Sequence, residues 1–471
     1  MKSPKRAAAA GTEEEVSLYE VRRKIYPRAI TGVFAGWRWG FVWLTQLIFY
    51  GLPWLNWGSR QAVLFDLEAR RFYIFGLVLY PQDFVYLSGL LIISAMSLFL
   101  FTAVAGRLWC GYACPQTVYT EIFMWVERVI EGDRGKRMRL DREPMSARKL
   151  GLKAAKHSAW VAIALWTGFT FIGYFTPIRS LAGEVVSGAL GPWQTFWILF
   201  YGFATWGNAG FMREQVCKYM CPYARFQSAM FDKDTLIITY DADRGDPRGT
   251  RGRKADPKAL GLGDCIDCGL CVEVCPTGID IRDGLQYECI GCASCIDACD
   301  RVMDKMGYPR GLVRYDTENG LKNHWNRDRL LHRVLRPRVI VYMSILALVT
   351  VALFTHMALR TPFKVDVIRD RGALGREVED GMIENVYRLQ FINSAEVPKR
   401  FVISVGGLDT LFVDSEKEIE VAAAGNRLVA VRVRLKPGHG HAGTNPVFFE
   451  IHARSDPSTS VREKSTFYIP R

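Results

Sequence analysis

Eight of the twelve cysteines fall into two runs, "CIDCGLCVEVCP" (Cys265–Pro276) and "CIGCASCIDACD" (Cys289–Asp300), both reading Cys-x-x-Cys-x-x-Cys-x-x-x-Cys. Thiolates are soft ligands that suit iron–sulfur clusters. Two-residue gaps let three cysteines on one tight loop grip three corners of a cubane, while the fourth points away toward a neighbouring cluster. The expected ligands of one [4Fe–4S] cluster are therefore Cys265, Cys268, Cys271 and Cys299. Those of the second are Cys289, Cys292, Cys295 and Cys275. Gly269 and Gly291 are expected to supply the tight backbone. A structural zinc site would use paired Cys-x-x-Cys knuckles, often with His, not two such runs in tandem. Asp300 stands where Pro is usual; Pro shapes the turn and ligates nothing, so the ligand set is unaffected. Two clusters side by side make an electron relay.

The other four cysteines repeat a different pattern, Cys-x-x-x-Cys-Pro, in "WCGYACPQ" (Trp109–Gln116) and "CKYMCPYA" (Cys217–Ala224). Each follows a long apolar run. Cysteines at i and i+4 share a helix face, and the Pro is expected to break that helix. If the two motifs meet, Cys110, Cys114, Cys217 and Cys221 bring four sulfurs together. Such a site would take Cu(I), zinc or a further iron–sulfur centre; buried structural thiols are the plainer alternative. Met212 and Met220 could add thioether character.

Elements of two kinds must position these groups. Five uncharged stretches, Trp39–Ser59, Phe84–Gly106, His157–Ile178, Leu190–Phe211 and Val339–Leu359, reach the roughly 20 residues that cross a bilayer. Lys and Arg set their orientation. Ten lie between Arg128 and Lys156 and seven in the first 34 residues, against three in Arg60–Asp83 and one in Arg179–Ala189. The positive-inside rule then predicts that the N-terminus, the 107–156 loop and the 212–338 segment face the cytoplasm, and that the chain after Leu359 lies outside. A reducing cytoplasm disfavours a disulfide between the paired motifs. The net charge of +13 reads as a membrane-facing basic surface. No nucleic-acid module is recognisable. The first 35 residues lack an apolar core, so no cleavable signal peptide is expected.

The predicted fold is thus multi-domain α + β. Residues 1–35 form an N-terminal segment, and 36–231 a helical membrane domain with spans one to four and both Cys-x-x-x-Cys-Pro motifs. Residues 232–337 form a cytoplasmic two-cluster ferredoxin domain, with an exposed Gly- and Arg-rich loop over Asp241–Gly263. The fifth span is 338–360. From 361 to 471, short alternating strands separated by turn residues predict a periplasmic immunoglobulin-like β-sandwich. "HGH" (His439–His441) lies in a Gly-rich loop and is read as solvated.

The paired motifs, the stretch from Cys275 to Asn319 and the C-terminal sandwich together resemble the cytochrome c oxidase accessory protein family of the FixG/RdxA/CcoG type. The likeness covers nearly the whole chain beyond the first 30 residues. It implies a bacterial inner-membrane protein that reduces Cu(II) to Cu(I) during maturation of the cbb3-type oxidase. Its implied partners are a cytoplasmic electron donor, a copper-transporting ATPase and copper chaperones. Copper would be held and reduced at Cys110, Cys114, Cys217 and Cys221. Cysteine spacing by itself establishes only the relay, so two alternatives stand beside this reading: a quinol-coupled polyferredoxin carrier and a membrane redox sensor.

Overall fold

The computed structural model describes residues 24–257, 259–361, 363–370 and 375–470. The first 23 residues of the expected N-terminal segment therefore lie outside the described residues.

Helix α1 (Val33–Gly51) has no side-chain cap of its own. Its first amides reach across the molecule instead: Phe34 and Ala35 N–H donate to the Asp297 carboxylate at 3.2 and 2.7 Å. A carboxylate there also complements the positive end of the helix dipole. Arg38 adds a bond to Ser294 Oγ at 2.5 Å and an ion pair with Glu121. The helix ends near Pro53, which cannot continue it. Residues expected to finish the first span instead form a 3₁₀ turn (Leu52–Trp54) and a small hairpin.

Helix α2 (Phe84–Ala105) is followed by α3 (Leu108–Tyr112), α4 (Pro115–Glu131) and α5 (Arg134–Arg142). Helix α6 (Ala147–Ile172) begins ten residues before the expected third span, because Ser146 Oγ accepts from Lys149 N–H and fixes its start. After α7 (Ile178–Ser187), α8 (Pro192–Thr205) has only 14 residues and gives way to a π-helical turn, Trp206–Met212. Helix α9 (Pro222–Met230) completes this domain. Among the described residues, two helices are long and apolar enough by themselves to cross a membrane: Pro81–Ala105 and Pro337–Ala358. The other three expected spans are helical but depart from a simple span, through Arg38 in α1, the basic first half of α6 and the shortness of α8. Helices α6 and α8 cross closely. A Cβ on Gly168 would lie 2.3 Å from Ile198 O, so only glycine permits that approach.

Two ends result. At one, the antiparallel strands Val63–Asp66, Arg71–Ile74 and Leu77–Leu79 follow α1 and pack against the C-terminal domain through Leu64, Tyr73, Val78, Tyr80 and Ile392. Asp83, at the start of α2, is 1% exposed and receives Arg360 Nη2 at 2.6 Å and Lys364 Nζ at 2.7 Å. Removing one partner of a buried ion pair strands the other charge. Asp83→Ala should therefore weaken docking of the C-terminal domain by about 3 kcal/mol. Faster hydrogen exchange across residues 363–370 is the readout; unchanged exchange would show that the pair does not hold this junction.

The C-terminal domain is the expected sandwich. One sheet runs Phe412–Val413, Asn426–Leu435, Ile383–Asn393, Phe363–Arg369; the other runs Glu418–Val421, Lys399–Gly406, Gly443–Ala453, Asp456–Ile469. Inward positions alternate along each strand and bury Phe363, Tyr387, Phe391, Phe401, Phe449 and Phe467 between the sheets. At the opposite end lies the ferredoxin domain, closed by strand Ile237–Tyr240 pairing antiparallel with Val313–Asp316. Leu236 N–H bonds Val104 O at 3.0 Å and Arg336 Nη2 bonds Ala103 O at 2.6 Å, fixing this domain to the foot of α2.

Candidate iron–sulfur centres and the thiol quartet

The two cysteine runs fold into two adjoining cavities. Cys265, Cys268, Cys271 and Cys299 line the first, with Ile266, Val302 and Met303 around them. Cys275, Cys289, Cys292 and Cys295 line the second, with Ile238, Ile279 and Ile290. The fourth cysteine of each run thus crosses to the other run's cavity. Cys271 borders both, so the cavities share a wall.

The loops that achieve this are matched. Asp267 and Gly269 flank Cys268 with positive φ, and Gly291 and Ala293 flank Cys292 in the same way. Two left-handed residues per loop turn successive amides inward, where they can meet cluster sulfur. Gly269 and Gly291 are therefore not equivalent positions; their structural counterparts are Ala293 and Asp267, which carry Cβ atoms. Gly291 has a further reason to be glycine, since a Cβ there would stand 3.1 Å from Arg107 O. Asp300, in the place of the usual Pro, accepts a bond from Gly311 N–H at 3.0 Å and secures the next loop.

Burial pushes Cys289 and Cys299 up to about 12 and Cys271 to about 11. The bare thiols therefore hold their protons at neutral pH, and metal binding must displace them. Among the described residues, no three His, Cys, Asp or Glu side chains already converge as ligands of a single ion.

The Cys-x-x-x-Cys-Pro copies are built differently from the expectation. The helical turn stops before each Pro, as expected, but the Pro also starts a new helix. Cys110 lies in α3 and Cys114 is the N-cap residue before Pro115; Cys217 lies in a π-helical turn (Val216–Met220) and Cys221 is the N-cap residue before Pro222. Pro suits the first helical position, where no N–H partner is needed. Cys114 and Cys221 have extended backbones, so the two cysteines of a motif do not share one helix face. The motifs nevertheless meet. Burial raises Cys110 to about 12, and the neighbouring thiols Cys114, Cys217 and Cys221 push in the same direction. Cys217 is raised to about 11 by burial, reinforced by Cys114 and Cys221. Backbone amides of Gln116 and Thr117 oppose the rise at Cys114, as expected at a helix N-terminus. Cys110 Sγ also bonds Gln227 Oε1 at 3.3 Å. Met220 is 55% exposed and makes no case as a thioether ligand. His439 and His441 are exposed, in agreement with a solvated loop.

Three features of this site have no local sequence signal. The first is the contact between sites: a Cβ on Gly111, next to Cys110, would lie 2.9 Å from Cys292 N and Cα. The quartet's backbone therefore touches the second cavity's ligand loop. The second is Arg107, buried, donating to Ala224 O and opposing the thiol shifts at Cys110, Cys217 and Cys289. It is a cation common to both sites. The third is Tyr315, whose hydroxyl donates to Gly291 O at 2.6 Å and lies 3.4 Å from that of Tyr112.

Residues 212–318 match a family described as a 4Fe-4S dicluster domain, and residues 87–137 one described as a 4Fe-4S binding domain. With the paired cavities, this defines a ferredoxin-type iron–sulfur protein, whose class of chemistry is electron transfer. Residues 353–470 match the IG-like fold at the C-terminus of FixG. The chain is 41% identical to the nitrogen fixation protein FixG of Rhizobium meliloti, over 96% of this chain and 94% of that one. It is 39% identical to protein RdxA of Cereibacter sphaeroides, over 93% and 94% respectively. The chain belongs to the FixG/RdxA family.

Proposed function

We propose that this protein is a bacterial inner-membrane electron carrier that reduces Cu(II) to Cu(I) for assembly of a cbb3-type cytochrome c oxidase. One observation carries the reading: the Gly111 backbone abuts Cys292, so a four-thiol site stands directly beside a cluster cavity. Each Cu(II) takes one electron, supplied by a reduced cytoplasmic one-electron carrier. Bound clusters supply one-electron storage between donor and acceptor. The chain's own part is to hold the two cavities wall to wall, to place Arg107 between thiolates of both sites, and to bind copper at Cys110, Cys114, Cys217 and Cys221. Sulfur ligands favour the product, Cu(I), and can hand it to a copper-transporting ATPase or chaperone with similar ligands. Holding one ion requires the four sulfurs to draw closer than they stand.

A membrane location is supported by the apolar outer faces of α1, α2, α8 and Pro337–Ala358, where Trp43, Leu47, Leu91, Phe200, Phe203 and Leu348 are exposed. Five membrane crossings are part of this proposal, with short α8 extended by its π-helical turn. The Lys and Arg distribution supports a ferredoxin end inside and a sandwich outside. A reporter active only in the cytoplasm should be silent when fused after Arg471 and active when fused between α4 and α6. The reverse pattern would overturn the orientation.

The acceptor is tested with anaerobically purified, dithionite-reduced protein mixed with Cu(II) or with a quinone analogue. Copper alone should reoxidise the clusters. Reoxidation by quinone alone would instead mark a quinol-coupled carrier, and slow reaction with both a sensor. A second reading of the quartet has its own support. The iron–sulfur family match over 87–137 contains only Cys110 and Cys114 as cysteines, so these and their partners would hold a third cluster. Metal analysis separates the two: about eight iron per chain accompanies a copper site, about twelve a third cluster.

A further inference from the structure

Two hollows meet along α1. The larger, about 810 Å³, lies between α1, α4 and α6 and is almost wholly apolar, with Trp43, Leu47, Ile122, Ile163 and Trp166 on its walls. At the ferredoxin end it runs into a polar hollow of about 60 Å³, walled by α1, α4, residues 27–30 and the turn Val274–Pro276. Trp39, Trp125 and Arg128 line both.

Charged side chains line the polar hollow, Arg28, Arg38, Arg128 and Arg137 with Glu121 and Asp133, and Asp133 forms no ion pair with Arg128. Three of the four guanidiniums are held by protein carboxylates, Arg28 by Glu273, Arg38 by Glu121 and Arg137 by Glu127. The Arg128 side chain has no hydrogen bond or ion pair among the described residues, and it stands where the two hollows join. An unpaired, half-buried guanidinium at the mouth of an apolar cleft calls for an anion attached to hydrocarbon.

We propose that this cleft binds an anionic phospholipid of the inner leaflet, with acyl chains between α1, α4 and α6 and the phosphate on Arg128. The proposal rests on the membrane reading given above. Basic pockets between membrane helices on the cytoplasmic side are suited to acidic headgroups. Charge argues against the other long-tailed candidate, a quinol, which brings no anion to Arg128. A quinol ring would have to sit in the apolar part, where its hydroxyl could donate to the otherwise unpartnered Gln46 Oε1 but would leave the Arg128 charge unmatched. The lipid joins α1, α4 and α6 to the turn bearing Cys275, and so belongs to the seam between membrane helices and ferredoxin domain.

The test uses the full-length protein extracted in mild detergent and examined by native mass spectrometry. In parallel, its tryptophan fluorescence is followed in phosphatidylcholine vesicles with or without brominated phosphatidylglycerol. About one phosphatidylglycerol should stay bound per chain, and the brominated lipid should quench Trp39, Trp43, Trp125 and Trp166 at low mole fraction. Arg128→Gln should lower that preference about tenfold while iron content stays unchanged, and Arg128→Lys should restore most of it. Equal retention of phosphatidylcholine, phosphatidylglycerol retained by Arg128→Gln, or a co-purifying quinone in its place would each overturn the lipid site. Recovery of the chain in the soluble fraction without detergent would overturn the membrane reading as well.

Discussion

Replacing Cys114 and Cys221 together by Ala should abolish copper binding and lower Cu(II) reduction by at least about a hundredfold, the scale on which metal sites fail when their supporting groups are lost. Iron and acid-labile sulfide should remain at about eight each, because neither residue lines a cluster cavity. These two positions are the informative ones. Both are N-cap residues, outside the helical turns that carry Cys110 and Cys217, so losing their sulfurs leaves the helices and Pro115 and Pro222 in place. Copper retained at wild-type stoichiometry would return the quartet to structural thiols. A fall from about twelve iron to about eight would show that it held a cluster.

Cys299→Ser should remove the first cluster and spare the second. Cys299 is carried by helix Ser294–Met306 together with Cys295, one turn away, yet the two line different cavities. A serine oxygen is a harder and poorer ligand for iron–sulfur chemistry than a thiolate. Iron should therefore fall from about eight to about four per chain, with one of two EPR signals lost. Loss confined to the cluster built on Cys289, Cys292 and Cys295 would refute the crossed ligand sets. Cu(II) reduction driven from the cytoplasmic donor should fall too, since the remaining cavity is the one against Gly111.

The parts of this molecule that repeat were legible in its sequence. Eight cysteines at fixed gaps declare three ligands per loop and a crossed fourth, and the cavities follow those sets. Alternation in "RLVAVRVRLK" and "PVFFEIHARS" declares a half-buried sheet, and those strands lie in the sandwich. What depends on contact between distant segments was not legible. Gly111 and Gly291 look like ordinary turn glycines until each is found against the other motif's backbone. Arg107 reads as one more basic residue at a helix foot, and its burial follows only once residues 217–227 fold over it. The Pro of Cys-x-x-x-Cys-Pro illustrates a local ambiguity: the same ring that forbids a helix interior favours a helix start. At α8 the apolar run of span length is helical along most of its length, an α-helix continued by a π-helical turn that the sequence does not announce.

The bond between α1 and Asp297 has a consequence in time. Ribosomes deliver α1 first, and its partner carboxylate is some 262 residues away along the chain. The earliest helix therefore waits with its leading amides unclaimed until nearly all the cysteines have been made. Asp297 sits between Cys295 and Cys299, on a helix that lines both cavities. Seating of α1 on the ferredoxin domain thus waits for the helix that also carries ligands of both cavities, and a chain cut short before residue 297 should leave the amides of Phe34 and Ala35 without that partner.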